Sequence, residues 1–144
     1  MNMNNICAIY SHINYRIAIT TDIGRSGNDC DYLIVTSHWI DEDWIMQKCI
    51  ISYRIIASRH TWQFIASTVK DICRYFCISD KIMSVSMDNA TSNTNAIALL
   101  TTTLSPAFSN IFHIRCICHI YHLIVGDGMR ILNIQIEKDK MALN

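Results

Sequence analysis

A chain of 144 residues and 16.5 kDa, 51% hydrophobic and only 17% charged, has the composition of a single folded domain, which excludes a disordered tail. Twelve Lys and Arg balance twelve Asp and Glu, so no net field holds a nucleic-acid backbone by charge alone, and any DNA affinity is expected to be weak or local. No apolar run approaches the roughly 20 residues of a membrane helix, and Met1 to Tyr10 lacks the basic flank and apolar core of a secretory signal, so the sequence reads as intracellular and soluble.

The start, Met1 to Asn5, is Asn-rich, and residues 1–12 read as an N-terminal extension without assigned structure. Arg16 to Asp22 is short and β-branched and predicts a first strand ending at Asp22, with turn chemistry in Asp22-Ile-Gly-Arg-Ser-Gly-Asn-Asp29. Tyr32 to Ile40 predicts a second strand, Asp41-Glu-Asp43 a tight connection, and Trp44 to Ile56 a third strand, giving consecutive antiparallel hairpins. The period then changes. Trp62, Ile65, Val69, Ile72, Cys73 and Phe76 recur at helical spacing, predicting a helix over about Thr61 to Cys77. Lys81 to Met87 returns to strand character and stops at Asp88, where Asp88-Asn-Ala-Thr-Ser-Asn93 favours turns and caps. A short helix over about Asn95 to Leu104, a strand over Ile111 to Cys116 and a helix from His119 to about Ile131 follow; Gly126 and Gly128 count against that last helix. The charged end, residues 133–144, reads as a tail. The order βββαβαβα predicts an α/β fold, a mixed sheet with helices on its faces, and sites in such sheets gather beside strand ends.

Asp22 and Asp88 both stand at strand ends. By the two-residue period, Asp22 shares a face with Ala18 and Thr20, and Asp88 with Ser84 and Ser86, while Ile17, Ile19, Val85 and Met87 lie opposite. Two carboxylates facing one space repel unless a divalent cation lies between them, and hard cations are held by carboxylates together with phosphate oxygens, which suggests metal-assisted phosphoryl transfer. The competing reading is local: a strand-end Asp caps a following helix, and Asp88 before Asn-Ala-Thr-Ser would cap well.

The segments Thr20-Thr21-Asp22, His38 to Lys48, Met87 to Asn93 and His113 to Val125, in this order and spacing, resemble the hAT transposase superfamily, most of all its plant branch of RICESLEEPER-type zinc finger BED domain proteins. The resemblance runs from about Ile13 to Ile131 and implies a ribonuclease-H-like core over residues 13–132. It implies that Asp22 and Asp88 are the first two acids of an Asp, Asp, Glu triad that holds Mg²⁺ or Mn²⁺ for DNA cleavage and strand transfer. Cys116 and His119 match the family's Cys-x-x-His motif beside those acids. It also implies DNA as partner and a nuclear location; the latter follows from the resemblance alone, since no basic cluster here looks like a nuclear address. Gly24 stands where the family usually has Trp, Trp62 where it has Gly, and Tyr121 and His122 where Leu and Asn are usual.

The family's third acid follows a long helical insertion, and the sequence reaches Asn144 before either; Glu137 lies in the charged tail and is a poor substitute. A truncated core is therefore expected to be inactive alone. The alternative function is a transposon-derived, non-catalytic module that associates with DNA, with its own copies or with full-length relatives. The seven cysteines, an odd number scattered through apolar stretches, read as reduced thiols. Cys116, Cys118, His119 and His122 lie within seven residues, yet structural zinc sites join ligand pairs across an intervening segment, so zinc is not expected. Trp62 is expected in the core, whereas Trp39 and Trp44 are as well suited to stacking on bases as to packing. Arg54, Arg59 and Arg74 read as solvated surface.

Overall fold

The computed structural model describes residues 3–27, 30–56, 61–88, 90–104, 106 and 109–142. Five strands form one sheet in the order β3-β2-β1-β4-β5. β1 (Ile17–Arg25), β2 (Asp31–Ile40) and β3 (Met46–Ile56) are an antiparallel meander. β4 (Ile82–Met87) and β5 (His113–Arg115) add to it in parallel. The helices are α1 (Met3–His12), α2 (Trp62–Tyr75), α3 (Thr91–Leu104) and α4 (Ile117–Ala142), and a 3-10 turn, Ser109–Ile111, leads into β5. This is the mixed α/β sheet expected of a ribonuclease-H-like domain.

The sheet's inner face carries Ile17, Ile19, Leu33, Val35, Val85 and Met87, all buried. α2 lays Ile65, Val69, Ile72 and Cys73 into the same apolar cluster, and α3 adds Ala96, Ile97, Leu100 and Leu104. α2 begins where it does because Thr61, in extended backbone, accepts the Phe64 N–H on its hydroxyl at 3.3 Å. It ends because Cys77 takes a left-handed φ of 54°, which turns the Ile78 N–H back onto the Cys73 carbonyl at 2.9 Å. Between β2 and β3, the Asp41 carboxylate accepts the N–H groups of Asp43 and Ile45 and the Gln47 amide. The Ile45 hydrogen bond, then that of Gln47, holds the Asp41 carboxyl below its ordinary range. Trp44 crosses the turn at φ 61° with its ring in solvent.

The boundaries differ most from those expected at four places. Residues 3–12 form α1, which buries Ile6 and Tyr10 against the core. β1 runs through the expected turn to Arg25, because Asp22, Ile23, Gly24 and Arg25 pair in register with Ile34, Leu33, Tyr32 and Asp31 and sheet pairing outweighs local turn preference; Asn28 and Asp29 of that turn lie outside the described residues. α3 begins at Thr91, earlier than expected. α4 continues through Gly126 and Gly128 into the expected tail, since each glycine is flanked by helix-compatible residues and its cost is roughly 1 kcal/mol against a long helix. Among the described residues no helix is long and apolar enough to cross a membrane.

The seven cysteines are all free thiols. Cys73 is fully buried, and burial pushes its thiol up to about 12. Trp62 and Trp39 pack against the core, Trp39 edge-on to Tyr10 at 5.7 Å between ring centroids. Arg54 and Arg74 are exposed, and Arg59 lies outside the described residues.

Candidate functional site

β1 and β4 run parallel in the register Ala18 beside Ser84 and Thr20 beside Ser86. In-register neighbours on adjacent strands share a face about 4.8 Å apart; the pairing ends at Thr20 and Ser86, with Asp22 and Asp88 each two residues further on. Small residues precede both acids along the strands: Thr20 and Asp22 are exposed, Ser86 is half-buried and Ser84 is buried. The next strand continues the row, since Met87 pairs with Arg115 and the Cys116 N–H donates to the Met87 carbonyl at 2.9 Å.

Asp22 and Asp88 line one small cavity at the carboxyl end of the sheet, where Ile65 in the first turn of α2 and Asn93 in the first turn of α3 close over it. Its volume is ≈ 10 Å³, about the space of a single water. Thr21, Ile23 and Leu33 complete its wall.

The two carboxylates are held differently. Asp22 accepts no hydrogen bond and forms no ion pair among the described residues. Asp88 accepts, on Oδ1 alone, the Ala90 N–H at 2.9 Å and the Asn93 side-chain amide at 2.5 Å. The capping role weighed from the sequence is therefore realised by one oxygen of Asp88, while its Oδ2 takes no hydrogen bond among the described residues. Asn93 stands out only in the structure, because in the sequence it belongs to the run of turn and cap residues after Asp88. It is buried, its amide nitrogen is engaged by Asp88, and its Oδ1 is buried with no partner among the described residues.

Cys116 is brought to the strand row by its backbone bond, with its side chain half-buried. His119, in the first turn of α4, is half-buried and does not line the cavity. Cys116 thus lies beside the end of β4, and neither it nor His119 lines the cavity. Cys118 and His122 are exposed on α4, and Cys73 and Cys77 divide between core and surface. Among the described residues no group of three or more His, Cys, Asp or Glu side chains is placed to hold a metal ion. The donors at the cavity are instead two carboxylates and one amide oxygen, hard oxygen ligands of the kind that suit Mg²⁺ or Mn²⁺ and not a thiolate-binding ion.

A separate pocket of ≈ 490 Å³ lies at the far end of β1, walled by Tyr15, Ala18, His38, Trp39, Trp44 and Met46. His38 is bonded to the Thr20 hydroxyl at 2.9 Å, and burial followed by the nearby Lys48 lowers its pKa, favouring the neutral ring. The pocket shares no residue with the acid cavity.

A family model described as the ZBED1 RNase-like domain matches residues 20–112, a span that includes Asp22, Asp88 and Asn93. Two Zea mays proteins, named as AC transposase and AC9 transposase, are each 35% identical to this chain over 134 residues, covering 89% of it. The chain spans 17% and 16% of their respective lengths. A Talaromyces stipitatus protein named as transcriptional regulator tpeD is 21% identical over 129 residues, 87% of this chain and 15% of that protein. No solved structure matches.

Proposed function

The chain belongs to the ZBED1 RNase-like domain family and is a hAT-type transposase sequence, and on that premise we propose that it is part of a metal-dependent DNA cleavage and strand-transfer core that binds a divalent cation but does not cut DNA by itself. The likeness is to the hAT superfamily, and the RICESLEEPER-type branch stays part of the proposal. The observation that carries the reading is the parallel register of β1 and β4, with Asp22 and Asp88 on the wall of one cavity. A bound Mg²⁺ or Mn²⁺ would supply charge stabilisation to a phosphoryl oxygen and activate the attacking water or hydroxyl. The chain's own part is to hold the ion: Asp22 contributes an unencumbered carboxylate, and Asp88 is oriented by its bonds to α3. Cys116 and His119 shape the adjoining strand-to-helix junction.

Two described carboxylates make an incomplete set for two ions, which supports binding without turnover. The expected result is that the chain takes up Mn²⁺, read as loss of the free-ion electron paramagnetic resonance signal. Asp22→Asn combined with Asp88→Asn is expected to abolish that uptake, while nicked duplex DNA stays intact with or without the ion. An unchanged Mn²⁺ titration in the double variant sinks the metal-site reading, and cleavage that depends on Asp88 sinks the inactive part of it.

DNA as substrate and a nuclear location are part of the same proposal and rest on the family. Association is supported by a separate observation: Ile117, Tyr121, Ile124, Val125, Ile131 and Leu132 of α4 are all exposed, more apolar surface than one helix normally leaves to water.

A further inference from the structure

The acid cavity has one feature that neither strand-end capping nor a two-carboxylate site accounts for. Asn93 is 7% exposed, and its two side-chain atoms have opposite fates. Nδ2 donates to Asp88 Oδ1 at 2.5 Å, whereas Oδ1 is buried without a hydrogen-bond partner among the described residues. The orientation follows from chemistry: turning the amide over would set its oxygen against the Asp88 carboxylate oxygen, a repulsive contact, in place of a charge-assisted hydrogen bond. A buried carbonyl oxygen without a donor is costly, and such groups in folded proteins call for an explanation such as an ion or a water. The cavity that Asn93 lines with Asp22 and Asp88 has room for one small occupant.

We infer that Asn93 is a third oxygen donor of this site, its side-chain carbonyl completing with Asp22 and Asp88 the ligand set of a divalent cation. The inference rests on the metal-site reading above. It adds a ligand that is not an acid. Asn93 then has two tasks: its amide holds Asp88 in position, and its oxygen meets the ion. A water in the cavity would satisfy the same oxygen, so the decisive readout is cation affinity rather than stability.

The experiment is a Mn²⁺ titration of the 144-residue chain, followed by paramagnetic resonance and by thermal unfolding, for wild type, Asn93→Leu and Asn93→Asp. Asn93→Leu keeps the branching at Cγ, with somewhat more bulk, and removes both polar atoms; it is expected to fold, by circular dichroism, and to bind Mn²⁺ about tenfold or more weakly. Asn93→Asp replaces the amide by a third carboxylate. It is expected to lose stability without the ion, through repulsion from Asp88, and to gain more in Tm on adding Mn²⁺ than wild type does. Wild type that binds Mn²⁺ with a folded Asn93→Leu of equal affinity overturns the inference and leaves a water as the occupant. An Asn93→Asp protein that gains no more than wild type overturns it too, even if Asn93→Leu fails to fold. Wild type that takes up no Mn²⁺ overturns the metal-site reading itself, and the inference with it.

Discussion

Replacing Tyr10 with alanine is expected to cost about 3–5 kcal/mol of folding stability, the range for emptying a buried aromatic site. Tyr10 is 1% exposed, although it belongs to the first helix of the chain. Its ring stands edge-on to Trp39 and to Phe76, with centroids at 5.7 and 5.8 Å, so it joins the hairpin to the end of α2. Its hydroxyl bonds the Ser37 hydroxyl, and Ser37 in turn donates to the Cys49 carbonyl across β2 and β3. Lys81 fixes the backbone beside it, donating from Nζ to the carbonyls of Tyr10 and Ile13 at 2.8 Å each. Tyr10→Phe keeps the ring and the Ser37 to Cys49 bond, and should cost only about 0.5–1.5 kcal/mol, the net worth of one hydrogen bond. Burial pushes the Tyr10 hydroxyl up to about 12, so the fold favours its neutral form. The stability this contributes is complete below pH 10, the ordinary tyrosine value, and is lost as pH rises from there through about 12. Urea unfolding followed by far-ultraviolet circular dichroism measures both effects. A Tyr10→Ala protein within about 1 kcal/mol of wild type would mean that α1 is not part of the folded core.

Much of this architecture was legible before any coordinates. The strands announced themselves through β-branched runs, and α2 through its apolar stripe, because each buries one face and leaves the other to water. α1 was hidden by polar Asn and Ser residues around Ile6 and Tyr10, whose burial depends on a surface supplied by β2, α2 and the Lys81 loop. The extension of β1 to Arg25 was hidden for a related reason: Gly24 and Ser26 favour turns locally, and only the facing residues of β2 hold them extended. At the site, the alternation along β1 and β4 picks out Asp22 and Asp88, which line one cavity. Asn93 could not be found that way. Its place depends on α3 starting at Thr91, so that a residue read as part of a turn lies instead in the first turn of a helix over the strand ends.

The pair Asp22 and Asp88 is expected to separate into one residue whose value is entirely functional and one that serves both fold and ion. Asp22 is exposed and has no bonded partner among the described residues, so Asp22→Asn should shift the stability of the metal-free chain by no more than about 0.5 kcal/mol. If its charge is repelled by Asp88, that small shift should be stabilising. Asp88→Ala removes the acceptor of the Ala90 N–H, a loss of about 0.5–2 kcal/mol for a helix-start cap. It also strands the buried Asn93 amide, a further cost of about 1–3 kcal/mol. With Mn²⁺ present at a hundred times its dissociation constant, wild type should gain about 2.7 kcal/mol by linkage, because the ion binds only the folded state. Both variants should forfeit most of that gain. Thermal or urea unfolding with and without Mn²⁺ therefore gives two different signatures from two acids in the same row of the sheet: a silent substitution that removes the metal effect, and a destabilising one that removes it as well. Capping alone predicts another pattern, with Asp88→Ala destabilising as before, Asp22→Asn silent, and no Mn²⁺ dependence in any of the three proteins. The metal-free melts of the two variants are alike under either account, so only the Mn²⁺ response of the exposed acid, Asp22, decides whether the strand ends form a site.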